Sequence, residues 1–164
     1  MAFRAASDLK PAPRNTLLYS ILIPAHNEEE NIPRTLRDIA SELRREGIPY
    51  ELLVVNDNST DQTAAVVEAM REELPEIKLV HNTPPAGLGR AVRCGLQHFR
   101  GDVLALVMAD CSDSPADIVR CYRKIEEGYD CVFGSRFRPG SKVTDYPLVK
   151  LVANRIVNRA MQVL

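Results

Sequence analysis

LALVMADCSDSP, residues 104–115, is the stretch on which the reading of the fold turns. The apolar run 103–108 predicts a buried strand. It leads directly into short acidic and hydroxyl side chains, Asp110, Ser112 and Asp113. Ser114-Pro115 then predicts a helix start, with Ser as N-cap and Pro at the first helical position. Acidic side chains at the carboxyl end of a parallel strand are where α/β proteins hold metals and phosphates. An ordinary strand–loop–helix junction would use the same residues, so the neighbouring segments decide.

Outward from this stretch, strand-like and helix-like apolar periods alternate. Residues 17–24, 50–55, 77–80, 103–108 and 130–133 read as strands. Residues 31–46, 88–99 and 147–164 read as helices, as do segments opening at Ser59 and Ser114. Gly47 is placed to stop the first helix. Ser59 with Gln62 forms the S-x-x-Q capping-box pattern. Val92, Leu96 and Phe99 are expected to face inward from the third helix. This order implies an α/β fold, a Rossmann-like, mostly parallel sheet with helices on both faces.

The 164 residues suit one domain, with 45% hydrophobic and 26% charged content expected to give a soluble globule. The Ala-, Pro- and charge-rich segment 1–16 reads as a disordered tail, which leaves 17–164 as the folded unit. A formal net charge of −1 offers no electrostatic case for nucleic acid. Cys94, Cys111, Cys121 and Cys131 form no CxxC pair and no zinc spacing, so they read as reduced cytoplasmic thiols. His26, His81 and His98 are too scattered for a metal trio. No apolar run approaches the ~18 residues of a membrane span, and the N-terminus lacks a signal-peptide core.

Ligands of such sheets sit beyond the carboxyl ends of the strands. Polar residues gather there four times, as Pro24-Ala25-His26-Asn27-Glu28, Asn56-Asp57-Asn58-Ser59, residues 110–113, and Gly134-Ser135-Arg136. Each could be a turn or a cap alone; together they favour a site. In GLGRAV, residues 87–92, a glycine turn opens a helix. It lacks the third glycine of a dinucleotide fingerprint and follows the wrong strand. Its backbone amides can still approach a phosphate at Gly87, with Arg90 adding charge. Asp57 can accept hydrogen bonds from a base or ribose. Asp110 can bind a divalent cation that bridges a diphosphate, and Arg136 can hold a phosphate bidentately or sit in a surface ion pair. This set suits a nucleotide-diphosphate substrate.

ILIPAHNEEENI (21–32), VVNDNSTDQT (54–63), GLGRAVRCGL (87–96), VMADCSDSPADI (107–118) and DCVFGSRF (130–137) follow one another in a familiar order and spacing. The chain resembles the family 2 glycosyltransferases of the GT-A fold, and within them the polyprenol-phosphate sugar synthases such as the dolichol-phosphate mannose synthases. The resemblance implies that Pro24, His26 and Glu28 line a nucleotide-sugar pocket. It places Val55 and Asp57 at base and ribose, Ala109 and Asp110 at the diphosphate and metal, and Arg136 at a donor or acceptor phosphate. The implied cofactor is Mg²⁺ or Mn²⁺, held by Asp110 with help from Ser112 or Asp113. Two departures stand out. Met108 replaces the first acid of the usual Asp-x-Asp motif, which predicts weaker cation binding. Asn56 stands for the first acid at the second strand, which keeps hydrogen bonding and loses charge.

The reaction so implied is inverting transfer of a sugar from GDP-mannose or a UDP-hexose to a polyprenol phosphate. Relatives of this kind continue past residue 164, so the domain is expected to be cut short at its C-terminus. A nucleotide-sugar-binding domain without turnover is the alternative. An NAD enzyme is suggested only by GLG. The expected helix 147–164 carries Lys150, Arg155 and Arg159 among apolar residues and no acid. It suits peripheral contact with the cytoplasmic face of an anionic membrane, or packing within the fold. Asp113 is either a helix cap or, for a hydroxyl acceptor, a general base.

Overall fold

The computed structural model describes residues 17–134, together with the backbone of Ala2–Phe3. Its elements, in chain order, are β1 (Ala2–Phe3), β2 (Tyr19–Ala25), α1 (Ile32–Arg45), β3 (Tyr50–Asn56), α2 (Thr63–Met70), β4 (Ile77–His81), α3 (Leu88–Leu96), β5 (Val103–Leu106), α4 (Pro115–Glu126) and β6 (Cys131–Val132). Four strands form one all-parallel sheet in the order β4-β3-β2-β5. Every residue of the two central strands is buried, which is why both read as nearly unbroken apolar runs. β1 pairs with β6 in a separate antiparallel ribbon. The segment 130–133 was expected as a fifth strand of the main sheet; instead it joins Ala2–Phe3. The rest of the expected disordered tail lies outside the described residues.

Helices cover both faces, as the alternating periods predict. On one side Ile21, Ile23, Leu52 and Val54 pack with Leu36, Ile39 and Leu43 of α1, Val67 of α2, and Ile118 and Tyr122 of α4. On the other, α3 lies on Leu22, Leu53 and Val55. α1 stops where Gly47 turns left-handed at φ +65°, its amide bonding back to Arg44 O.

Three local expectations are corrected. Leu96 and Phe99 do not face inward; they are 49% and 37% exposed. Val92, also expected inward, does pack partly buried against the strands, but α3 approaches the sheet most closely at its small residues. Ala91 and Gly95 face the strands, and a Cβ on Gly95 would stand 2.1 Å from Leu22 Cδ1. Ser59 does not open α2, which starts at Thr63. Asp61 lies two residues from that start, and its Oδ1 accepts the Thr63 amide at 3.0 Å. The run 103–108 is a strand only to Leu106. Among the described residues β5 pairs with β2 alone, so Leu106 and Met108 are exposed rather than buried. No helix among the described residues is long and apolar enough to cross a membrane.

Candidate functional site

Three parallel strands release the chain at one level of the sheet. Ala25 ends β2 and is in register with Asn56 of β3, which is in register with His81 of β4. The next residues are His26, Asp57 and Asn82, and they converge on Asp57. The Asp57 amide donates to Ala25 O at 2.8 Å. His26 Nδ1 lies 2.7 Å from Asp57 O. The Asp57 side chain is buried. Its Oδ1 accepts Asn82 Nδ2 at 2.7 Å and Asn58 Nδ2 at 3.4 Å, and its Oδ2 accepts the Gly87 amide at 2.7 Å. Burial works against the charge. The hydrogen bonds from Asn82, Gly87 and Asn58, with the nearby His26, outweigh it and hold the carboxyl below the usual carboxylate range.

The loops after β2 and β3 are stitched together by polar side chains. Ser59 Oγ accepts the Asn27 amide (3.1 Å), and Asn27 Oδ1 accepts the Thr60 amide (2.8 Å). Thr63 Oγ1 accepts the Glu28 amide (2.8 Å), and Glu29 Oε2 accepts the Gln62 amide (2.8 Å). Asn27 and Asn58 sit at φ 55° and 58°, a conformation that Asn tolerates better than most side chains. Glu28 Oε2 accepts Asn31 Nδ2 at the start of α1. Pro24 and Val55 are in register and buried, and Val55 packs in the core beneath α3. Their side chains are therefore part of the base of the site, not of its surface.

Gly87 opens α3, and its carbonyl accepts the Arg90 and Ala91 amides at 2.8 and 3.0 Å. A depression of about 480 Å³ lies against this turn, lined by Ala86, Gly87, Leu88, Gly89, Arg90 and Arg93.

The loop after β5 is sparser. Asp113 Oδ2 accepts the Met108 amide at 2.9 Å. Its carboxylate is thus turned back to the strand end, and α4 has no side-chain cap at Ser114. Asp110 Oδ1 accepts the Ser112 amide at 3.0 Å. Ala109 is buried, and its carbonyl accepts Thr35 Oγ1 of α1 at 2.8 Å. Residues 110–114 are exposed. Among the described residues no group of three or more His, Cys, Asp or Glu gathers to hold a metal. Asp110 and Asp113 each accept one backbone amide and keep a second oxygen, and the reading from the sequence assigns the cation to Asp110. A single carboxylate suits Mg²⁺-type sites whose shell is completed by phosphate oxygens and water. The donor set fits a cation held jointly with a diphosphate, not one caged by protein alone.

The structure brings His26, Asp57 and Gly87 together through direct bonds, with Arg90 on the first turn of α3. Asp110 and Ser112 stand at the end of β5, on the same edge of the sheet. Arg136 and the expected helix 147–164 lie outside the described residues. Sequence reasoning missed Asn82 and Thr35. Asn82 follows β4 directly, the one strand end not counted among the polar ends.

The model of the family described as "Glycosyl transferase family 2" matches residues 20–163. A dolichol-phosphate mannosyltransferase of Pyrococcus furiosus is 32% identical over 136 residues, 83% of this chain and 38% of that protein. An undecaprenyl-phosphate 4-deoxy-4-formamido-L-arabinose transferase of Shewanella sediminis is 34% identical over 151 residues, 90% of this chain and 44% of that protein. The chain thus spans about two fifths of the length of these curated relatives. Among solved structures, a mannosyltransferase of Pyrobaculum calidifontis in complex with GDP-Man and Mn²⁺ superposes with a TM-score of 0.52 at 29% identity. That match covers 63% of this chain and 30% of that one. Glucosyl-3-phosphoglycerate synthase of Mycobacterium tuberculosis, at 22% identity, shares the fold with a TM-score of 0.56, over 68% of this chain and 40% of that one.

Proposed function

The chain belongs to glycosyl transferase family 2, and from that premise we propose that it carries the donor side of an inverting glycosyltransferase. The sugar passes from a nucleoside-diphosphate donor, GDP-mannose or a UDP-hexose, to a polyprenol phosphate at the cytoplasmic face of a membrane. The observation that carries this reading is the convergence of β2, β3 and β4 on Asp57, on the same sheet edge as the exposed Asp110 loop. The polyprenol-phosphate relatives and the GDP-Man-bound neighbour support the choice of donor and acceptor.

His26 and Asp57 would receive base and ribose. Asp57 Oδ2, which accepts the Gly87 amide alone, keeps acceptor capacity for such a ligand. The Gly87 amide is taken by Asp57 and is not free for phosphate as expected, so the first turn of α3 beyond it and Arg90 would face phosphate. Asp110 and Ser112 would hold a divalent cation, Mg²⁺ or Mn²⁺, which when bound offsets charge on the departing diphosphate. Arg136 would pair with a phosphate of donor or acceptor. A phosphate acceptor is already an anion at neutral pH and needs no strong general base. Asp113 accepts the Met108 amide and braces the loop. The basic, apolar segment 147–164 would meet the anionic surface where such an acceptor resides.

The test is transfer of labelled sugar from GDP-mannose or UDP-glucose to a polyprenyl phosphate in detergent with Mn²⁺. Label should enter the lipid fraction with one donor. Release of free sugar only, or no turnover with either donor, contradicts the reading.

A further inference from the structure

One carboxylate holds both ends of a loop. Asp57 Oδ1 accepts Asn82 Nδ2, and Asp57 Oδ2 accepts the Gly87 amide, both at 2.7 Å. Between these anchors run Thr83, Pro84, Pro85 and Ala86, all exposed. Asn82 is itself fixed from behind, since its amide donates to Asn56 O at 2.9 Å and extends the β3–β4 ladder by one bond. Gly87 is fixed from ahead, since its carbonyl accepts the first amides of α3. The clamp therefore sets where the strand ends, where the helix begins, and where the depression lined by Gly87, Gly89, Arg90 and Arg93 opens.

We propose that Asn82 is a positioning residue for the donor site. Through the Asp57 carboxylate it fixes the 83–86 loop and the Gly87 turn in the arrangement that takes the nucleoside diphosphate. This rests on the donor reading above. Asn82 need not touch the ligand. Its side-chain amide, bonded to Oδ1, leaves Oδ2 aimed at the Gly87 amide, so that both carboxylate oxygens are engaged before any nucleotide arrives. Preorganisation of this kind lowers the ordering cost of binding. A charged acceptor bonded to Asn82 makes the link stronger than an ordinary surface hydrogen bond.

The experiment pairs two variants of the full chain with two readouts, hydrogen exchange of the amides of Thr83 and residues 86–90 and calorimetric titration with GDP and UDP. Asn82→Ala should speed exchange at these amides and weaken the bound nucleotide about tenfold. Asn82→Asp sets a second carboxyl against Asp57. Two such groups at hydrogen-bond distance share a proton rather than both ionise. Nucleotide binding by Asn82→Asp should be weak at pH 7.5 and recover toward the parent value at pH 5.5, whereas Asn82→Ala gains nothing. His26, the other titratable group facing Asp57, is common to all three proteins, so its effect cancels against the parent. A merely structural asparagine would leave the nucleotide affinity of both variants, wherever they stay folded, at the parent value. Faster exchange with unchanged nucleotide affinity overturns the positioning role and leaves the donor site intact. Unchanged exchange in Asn82→Ala overturns the clamp itself. Failure of the parent chain to bind either nucleotide overturns the donor reading, and the positioning role with it.

Discussion

Between β2 and β4, the residues that leave the sheet are bonded to one another. His26, Asn27, Asp57, Ser59, Asn82 and Gly87 exchange hydrogen bonds across three strand ends, and Asp57 is buried among them. Beyond β5, the loop 108–114 is largely exposed. Ala109 and Cys111 touch Thr35 and Asn31 at the start of α1, and the polar bonds of the loop's acids are local: Asp113 to Met108 and Ser112 to Asp110. The difference teaches that neighbouring strand ends of one sheet can be built in two ways, one tied together by side chains and one left open. On the proposed function, the base end of the donor would meet the surface bonded in advance, and the diphosphate end would meet one carboxylate, with the rest of the cation's shell completed by the ligand.

The largest expected effect comes from the sparse end. Asp110→Ala should cut sugar transfer by at least about a hundredfold, because it removes the carboxylate offered to the cation. Thermal stability should hold within about 0.5 kcal/mol, since the side chain is exposed. A large loss of stability would mean that the loop is as tightly built as its neighbour.

Asp57→Ala should show the reverse pattern. It orphans the Gly87 amide and Asn82 together and should cost about 3 kcal/mol, seen as a melting temperature lower by about 6–12 °C. An unchanged melting temperature would break the contrast between the two regions.

Met108→Asp restores a second acid beside Asp110. It should lower the Mn²⁺ concentration needed for half-maximal nucleotide binding about tenfold, measured by titration at fixed nucleotide. No change would mean that residue 108 does not face the cation.

A smaller effect is expected from acid. Asp57 and Glu51 both lie below the ordinary carboxylate range. At Glu51 burial opposes the charge, and bonds from Ser20 and Arg100 outweigh it. A depressed carboxylate contributes stability above its unfolded pKa of about 4 and loses it as pH falls through the folded value. Melting temperature should therefore stay level from pH 7 to about 5 and decline below about 4. Asp57→Asn should remove part of that decline.

Much of this was legible in the residues. The alternating apolar periods gave the parallel sheet, because strands buried on both faces must be apolar throughout. Asp57 and Asp110 stood out as acids just past such strands. What stayed hidden was long-range. Leu96 and Phe99 follow a helical period, yet the close approach of Gly95 to Leu22 turns them outward. Ser59 matches a capping box, yet its hydroxyl is taken by the Asn27 amide, 32 residues away in sequence. Asn82 looks like an ordinary turn residue until β4 lies beside β3 and sets its amide against Asp57.

The contrast between the built base end and the sparse diphosphate end is tested most directly by calorimetry with three titrants: Mn²⁺ alone, GDP or UDP in EDTA, and the same nucleotide with Mn²⁺. The account predicts no binding of Mn²⁺ alone, measurable binding of one nucleotide in EDTA, and tighter binding of that nucleotide with Mn²⁺. Tight binding of Mn²⁺ to the free chain, or nucleotide binding that vanishes in EDTA, would contradict it.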